Sequence, residues 1–207
     1  EERSPYRPYY KWAIMPTVDS DPQQEQFIST YLNADAVFTY SEYGKETIEK
    51  ASHGYVNVLD VASPGADCES LQPVSNKSQH RMRAGFVDDV TIIGTVMRNQ
   101  RRKLYPNLIA SFRKMLDENK EMQDKVFLYL HTSYPDIGWD IPALIKQNDM
   151  GNHTLMTYVC NSCSHFFPSF FQDAKTVCPR CGSPNAKPPN TQVGVTPEQL
   201  SSILNWF

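Results

Sequence analysis

Excess positive charge, long apolar runs and glycine-rich phosphate loops are all missing from this chain. Its 20 Lys and Arg stand against 23 Asp and Glu, a net charge of −3. That balance argues against a general nucleic-acid or membrane-surface binder and leaves room only for local basic patches. No apolar stretch approaches the roughly 18 residues that suggest a membrane span. There is no P-loop, no Gly-x-Gly-x-x-Gly turn, no Gly-x-Ser-x-Gly elbow and no Ser-His-Asp spacing. No initiator Met, signal-peptide pattern or lipidation signal is read in it. What remains, 40% hydrophobic and 21% charged over 207 residues, suits a folded chain of one large or two small domains.

Cysteine is scarce too, with five in all, but four of them stand in two tight pairs. These are Cys160-Asn-Ser-Cys163 and Cys178-Pro-Arg-Cys181, with fourteen residues between them. Each Cys-x-x-Cys turn presents two sulfurs to one point, and a short hairpin brings the turns face to face. The pattern predicts a tetrahedral four-cysteine zinc site. Four thiolates fill the coordination shell, so the metal is expected to be structural. Zinc thiolates imply a reducing compartment, which favours the cytoplasm; two disulfides in a secreted protein are the alternative. Cys68 is left over as a plain small residue, and His165 is a candidate ligand that the four cysteines make unnecessary. The ribbon is expected over 158–187 as a small β insertion. Its Phe166-Phe-Pro-Ser-Phe-Phe171 stretch is expected to form hairpin core or to pack on the host domain. The functional alternative is a platform that stacks bases or docks a partner.

Strand and helix signals alternate along the rest. Lys11–Met15 reads as a short buried strand. Asp21-Pro22 reads as the start of a helix running to about Asn33. Ala36–Tyr40 is a strand, Ser41 caps the next helix, and Tyr55–Val61 is a third strand. The polar, basic stretch 76–89 reads as a linker. Beyond it come a strand at Val90–Val96, a helix from Pro106, a strand at Lys125–Leu130, a short helix at Ile141–Gln147 and a strand at His153–Tyr158. Thr196-Pro-Glu-Gln199 is a capping-box start for a last helix. This alternation predicts an α/β fold with parallel sheets in two halves, 1–75 and 90–207, the second interrupted by the ribbon.

The segment Gly94-Thr-Val-Met-Arg98-Asn-Gln-Arg-Arg-Lys103 follows a buried strand with a basic turn. In open parallel sheets ligands bind off the carboxyl ends of strands. A diphosphate there requires cations and helix-start amides. Four cations in six residues also fit a solvated surface patch. After the first strand, Asp19 and Asp21 read as a turn residue and a helix cap.

Ala34–Lys45, Pro64-Gly-Ala-Asp67, Gly94–Arg98 with Lys103 five residues on, Lys103–Phe112 and Gly194–Ile203 follow one another in order. Together they resemble segments of the retaining GT-B glycosyltransferases of the family that includes many mannosyl- and glucosyltransferases. The resemblance implies two partial Rossmann-like halves and a nucleotide-sugar donor as co-substrate. Arg98 and Lys103 would clasp its diphosphate, with Asn99 and Gly94 in the same donor-binding set. Asp19 would border the acceptor. The chain departs from the family in lacking a glycine-rich turn before Lys11 and any two Glu eight positions apart. It therefore corresponds to the middle of such an enzyme, and turnover by this chain alone is not expected. The competing expectation is a non-catalytic binding module whose ribbon contacts nucleic acid or a protein.

Overall fold

The computed structural model describes residues 4–171 and 175–207. The chain forms two compact units, Glu1–Ala66 and Asp67–Phe207. Both are α/β with parallel-rich sheets, as the alternation predicts.

The first unit contains β1 (Ala13–Ile14), α1 (Glu25–Leu32), β2 (Ala36–Thr39), α2 (Glu42–Ala51) and β3 (Val58–Val61). Its strands pair in the order β1-β2-β3, all parallel. Ser41 caps α2 through its Oγ, which accepts from the Gly44 amide at 3.2 Å. That cap satisfies a helix-end donor that would otherwise lack a partner. Ile28 and Tyr31 from α1 and Ile48 from α2 bury against Val37 and Val58. The helix expected from Asp21 begins later, at Glu25, with Gln24 before its first turn. The Asp21 carboxylate, four residues ahead of that start, instead accepts from Lys50 on α2 at 2.9 Å.

Asp35 ties the start of this unit together. Its carboxylate accepts from the Trp12 amide at 2.8 Å, from Arg7 at 2.6 Å and from Lys11 at 3.3 Å. The Trp12 amide, with Arg7 and Lys11, holds its pKa down at about 2. A carboxylate depressed on folding stabilises above its unfolded pKa of about 3.9, and that stability fades as pH falls through the folded value. Protection of the Trp12 amide against hydrogen exchange is therefore expected to drop between about pH 4 and pH 2. In Asp35→Asn that amide should exchange faster at neutral pH and lose this acid step. An unchanged acid profile in the variant would refute the assignment.

The second unit contains α3 (Lys77–Arg83), β4 (Thr91–Val96), α4 (Tyr105–Glu118), β5 (Val126–His131), α5 (Ile141–Gln147), β6 (Thr154–Cys160), β7 (Phe166–Phe170), β8 (Ala186–Lys187) and α6 (Pro197–Leu204). The sheet order is β4-β5-β6-β7, with β8 also on β6. β4, β5 and β6 are parallel, while β7 and β8 run antiparallel to β6. Both faces of the sheet are covered. Leu128, Leu130, Met156 and Tyr158 face Ile109, Phe112 and Leu116 of α4 and Ile141 and Ile145 of α5. Tyr129 and Leu155, one residue out of phase, pack with Ile203 of α6, Trp206 and Phe86. This is the two-faced burial of a parallel sheet, and it explains why β6 is buried at every position.

The stretch 76–89 carries α3, capped by Asn76 through the Gln79 amide at 2.9 Å. Its basic residues bond to their neighbours. Arg81 donates to the carbonyls of Trp206 and Val90, and His80 Nε2 lies 2.9 Å from the Ser202 carbonyl. The compact units divide at Ala66/Asp67, which places this stretch in the second unit. The cysteine-bearing region likewise shares the host sheet. β7 pairs with β6 from Leu155 to Val159, and β8 pairs with it at Val159 and Cys160, on the edge opposite β7.

Candidate metal centre and a cavity at the strand ends

The four sulfurs converge. Cys160 is the last residue of β6, and the chain turns through Ser164 (φ 56°) before entering β7. The Ser164 amide closes this turn on the Cys160 carbonyl at 2.9 Å, and the Ser162 amide points at Cys160 Sγ at 3.4 Å. The second turn is closed by the Gly182 amide on the Cys178 carbonyl at 2.9 Å, with Gly182 at φ 70°. Left-handed backbone of that kind suits a residue without Cβ. A Ser162–Ser183 hydroxyl contact of 2.9 Å joins the turns.

All four Sγ atoms lie within 4.8 Å of one another, with Cys160–Cys181 at 3.6 Å and Cys163–Cys178 at 3.8 Å. Four sulfurs placed tetrahedrally about 2.3 Å from a common centre stand about 3.8 Å apart, so the cluster fits a metal ion such as zinc. These spacings are far longer than a disulfide bond of about 2.05 Å, and all five cysteines are free thiols. Burial pushes the Cys160 thiol up, but the Ser162 and Cys163 amides and the neighbouring thiols outweigh it and bring it down to about 6. Cys181 goes the other way, to about 12: the Ser183 amide favours its thiolate, but its thiol neighbours and burial prevail. Without a cation the crowded sulfurs cannot all carry charge.

His165 stands outside the sulfur cluster, with its ring stacked on Phe167 at 5.7 Å. Of the phenylalanines of β7, Phe167 is buried, Phe166 is half-buried and Phe170 stays exposed. Phe167 is buried beside Tyr158, Phe166 stacks on Trp206 at 5.8 Å, and Phe170 meets Phe127 edge-on at 5.7 Å.

A cavity of about 460 Å³ opens at the carboxyl ends of β4 and β5. Val96, Met97 and Arg98 line one side, His131, Thr132 and Ser133 the next, and the segment from Pro189 to Val195 contributes most of the rest. Arg98 is held from behind. Its Nε and Nη2 donate to the Asp136 carboxylate at 2.9 and 3.0 Å, while Asp136 also accepts from Ser133 and from the Ile137 amide. The Asp136 side chain is fully shielded, and Arg98 above all, then Ser133 and the Ile137 amide, hold its carboxyl far below the usual range. The two-pronged grip leaves half of the Arg98 side chain exposed.

Of the residues expected in a donor-binding set, Arg98 lines this cavity and Lys103, Asn99 and Gly94 do not. Asn99 is fully buried: its Nδ2 donates to the Trp139 carbonyl and its Oδ1 accepts from the Trp139 amide, both at 2.8 Å. Gly94 lies against Phe207, whose ring atoms would be 2.6 Å from a Cβ placed there. Lys103 ends a 3₁₀ turn, Arg101–Lys103, just before Leu104 at φ 49°. Its ammonium has no ion-pair partner among the described residues. Arg101 covers the Trp139 ring at 4.7 Å. Asp19 is exposed in the first unit.

His131 and Asp136 are legible from sequence as residues after a strand's carboxyl end that could border a cleft, but the pairing of Asp136 with Arg98 and the wall from Pro189 to Val195 were not foreseen. An acidic residue soon after the neighbouring parallel strand was the signal available for the clamp. Only Gly194 and Val195 of that wall are marked in the sequence, at the start of the resembling segment Gly194–Ile203; the place of 189–193 depends on how β8 leaves the sheet. A scan against protein-family models finds no match to this chain, and neither does a search of curated proteins.

Proposed function

We propose that this chain supplies the donor side of a nucleotide-sugar-dependent glycosyltransferase of the GT-B kind, with a structural zinc ion on Cys160, Cys163, Cys178 and Cys181. The carrying observation is Arg98, fixed by Asp136 on the wall of a cavity at the carboxyl ends of two parallel strands. This is where open α/β sheets bind ligands. As the bond from sugar to diphosphate breaks, negative charge grows on the leaving phosphate. A guanidinium already held in place stabilises that charge without having to reorganise. Asp136 sets its orientation and leaves the other edge of the planar group for phosphate oxygens. The amino end of α6 is close by, since Gly194, Val195 and Leu200 line the same cavity. Lys103 stands farther out and contributes a longer-range charge. Four sulfurs leave the zinc ion no open position, so its part is to hold the two turns together. The inward packing of Phe166 and Phe167 speaks against a base-stacking ribbon.

UDP and GDP are expected to raise the melting temperature of the full chain and to bind in calorimetry. Arg98→Ala should weaken the better nucleotide roughly ten- to hundredfold, as loss of a charged hydrogen bond of about 1.5–3 kcal/mol requires. Lys103→Ala should cost less. A wild-type chain indifferent to both nucleotides, or one whose binding survives Arg98→Ala, would remove the proposal.

A further inference from the structure

Three polar side chains form a relay beneath the cavity. Thr157 Oγ1, on β6, lies 2.7 Å from the Tyr129 hydroxyl and 2.8 Å from His131 Nδ1, both on β5. Tyr129 and Thr157 are fully buried. Around Tyr129 stand the rings of Trp206 and Phe207, with centroids 5.8 and 5.4 Å away. Its hydroxyl has no partner besides Thr157 among the described residues. Burial, partly offset by Thr157, pushes the Tyr129 phenol well above its ordinary range, so it keeps its proton.

Proton bookkeeping now fixes the rest. Tyr129 can give its hydrogen only to Thr157 Oγ1. Thr157 has one hydrogen of its own, and His131 Nδ1 is the acceptor left for it. The reverse order leaves a buried hydroxyl hydrogen without a partner, at a cost of about 1–3 kcal/mol. His131 is then neutral, with Nδ1 accepting and its one hydrogen on Nε2. Burial lowers the His131 pKa, in keeping with the neutral form. His131 lines the same cavity as Arg98 and is paired in register with Val96, two residues before Arg98. Nε2 has no protein partner among the described residues.

We infer that His131 Nε2–H is a hydrogen-bond donor of this cavity, fixed in its tautomer by Thr157 and Tyr129, and that it forms with Arg98 a two-donor seat for a phosphate group. This rests on the reading of the cavity as a donor-phosphate site and adds a second, uncharged contact to it. Thr157 and Tyr129 act through His131 and are positioning residues.

The test is ¹⁵N NMR of the histidine-labelled full chain, with His131→Gln to assign the signal. At neutral pH Nε2 should carry the proton and Nδ1 should not. Pyrophosphate should move the Nε2 resonance, and Arg98→Ala should abolish the movement. Thr157→Val should give mixed tautomers and pyrophosphate binding weakened about three- to tenfold, as expected for one neutral hydrogen bond. Thr157→Ser should restore both. A proton on Nδ1 in the wild type, no pyrophosphate binding, or pyrophosphate binding that depends on Arg98 yet leaves His131 unmoved, each overturns the seat. UDP extends the comparison. If neither it nor GDP binds tighter than pyrophosphate while His131 still responds, the seat stands and the nucleotide reading fails. If it binds tightly with His131 silent, the seat fails and the nucleotide reading stands.

Discussion

Stripping the metal should unfold the second unit, not merely loosen a surface ribbon. Cys160 is the end of β6, the strand that pairs with β5, β7 and β8. Cys160, Cys178 and Ala186 belong to one buried cluster with Ile109, Leu128 and Tyr158, so the sulfur turns are part of the main core. A structural zinc site is worth about 10–16 kcal/mol in apparent binding free energy near neutral pH. A whole domain is stable by only about 5–15 kcal/mol. Loss of the ion therefore removes as much stability as the unit has. Elemental analysis should find one zinc per chain, and a strong chelator should abolish the cooperative thermal transition of this unit. Cys178→Ser, at a buried ligand, should do the same without chelator. A chain whose melting is indifferent to chelator would falsify a structural role for the four cysteines.

The second large effect is expected from one methyl group. Gly138→Ala places a Cβ 2.3 Å from Asn99 Oδ1, 2.5 Å from the Asn99 carbonyl oxygen and 2.6 Å from its carbonyl carbon. Two of these three atoms are backbone, and the third accepts from the Trp139 amide at 2.8 Å. Asn99 cannot retreat, because it is fully buried and its own amide donates to Ser133 at 3.3 Å. The substitution must break the clasp joining the loop after β4 to the loop after β5. Overpacking with loss of buried hydrogen bonds amounts to about 2–4 kcal/mol. For a unit of this size the melting temperature should fall by roughly 5–15 °C. Arg98 adjoins Asn99, so pyrophosphate binding should weaken as well. A variant as stable as wild type would show that this loop yields easily.

Period and punctuation made much of the architecture legible. Ser41 and Thr196 announced their helices, and both caps form. The apolar face Ile109, Phe112 and Leu116 announced α4 and is buried. The doublets Cys160/Cys163 and Cys178/Cys181 announced their own convergence, because each turn sets its geometry locally. What stayed hidden depends on distant partners. Asp21 has the chemistry of a cap, but Lys50, 29 residues away, claims its carboxylate. The basic stretch around His80 and Arg81 has linker composition, yet carbonyls at Ser202 and Trp206 give it a place in the fold. In the cavity Arg98 could be picked out by type and position. Its holder Asp136 comes from the loop after β5 and Thr157 from β6, and no local spacing connects them.

The hairpin that ends in sulfur has a bearing on the order of assembly. Cys160 and Cys181 are 21 residues apart, and β6 meets β7 through a turn shorter still. β4 and β5, by contrast, join residues as distant as Thr91 and Val126. Bringing near neighbours together sacrifices less chain freedom than bringing remote ones together. The cysteine-bearing hairpin is thus the piece able to close first, and it offers the rest of the sheet a ready edge on which to grow.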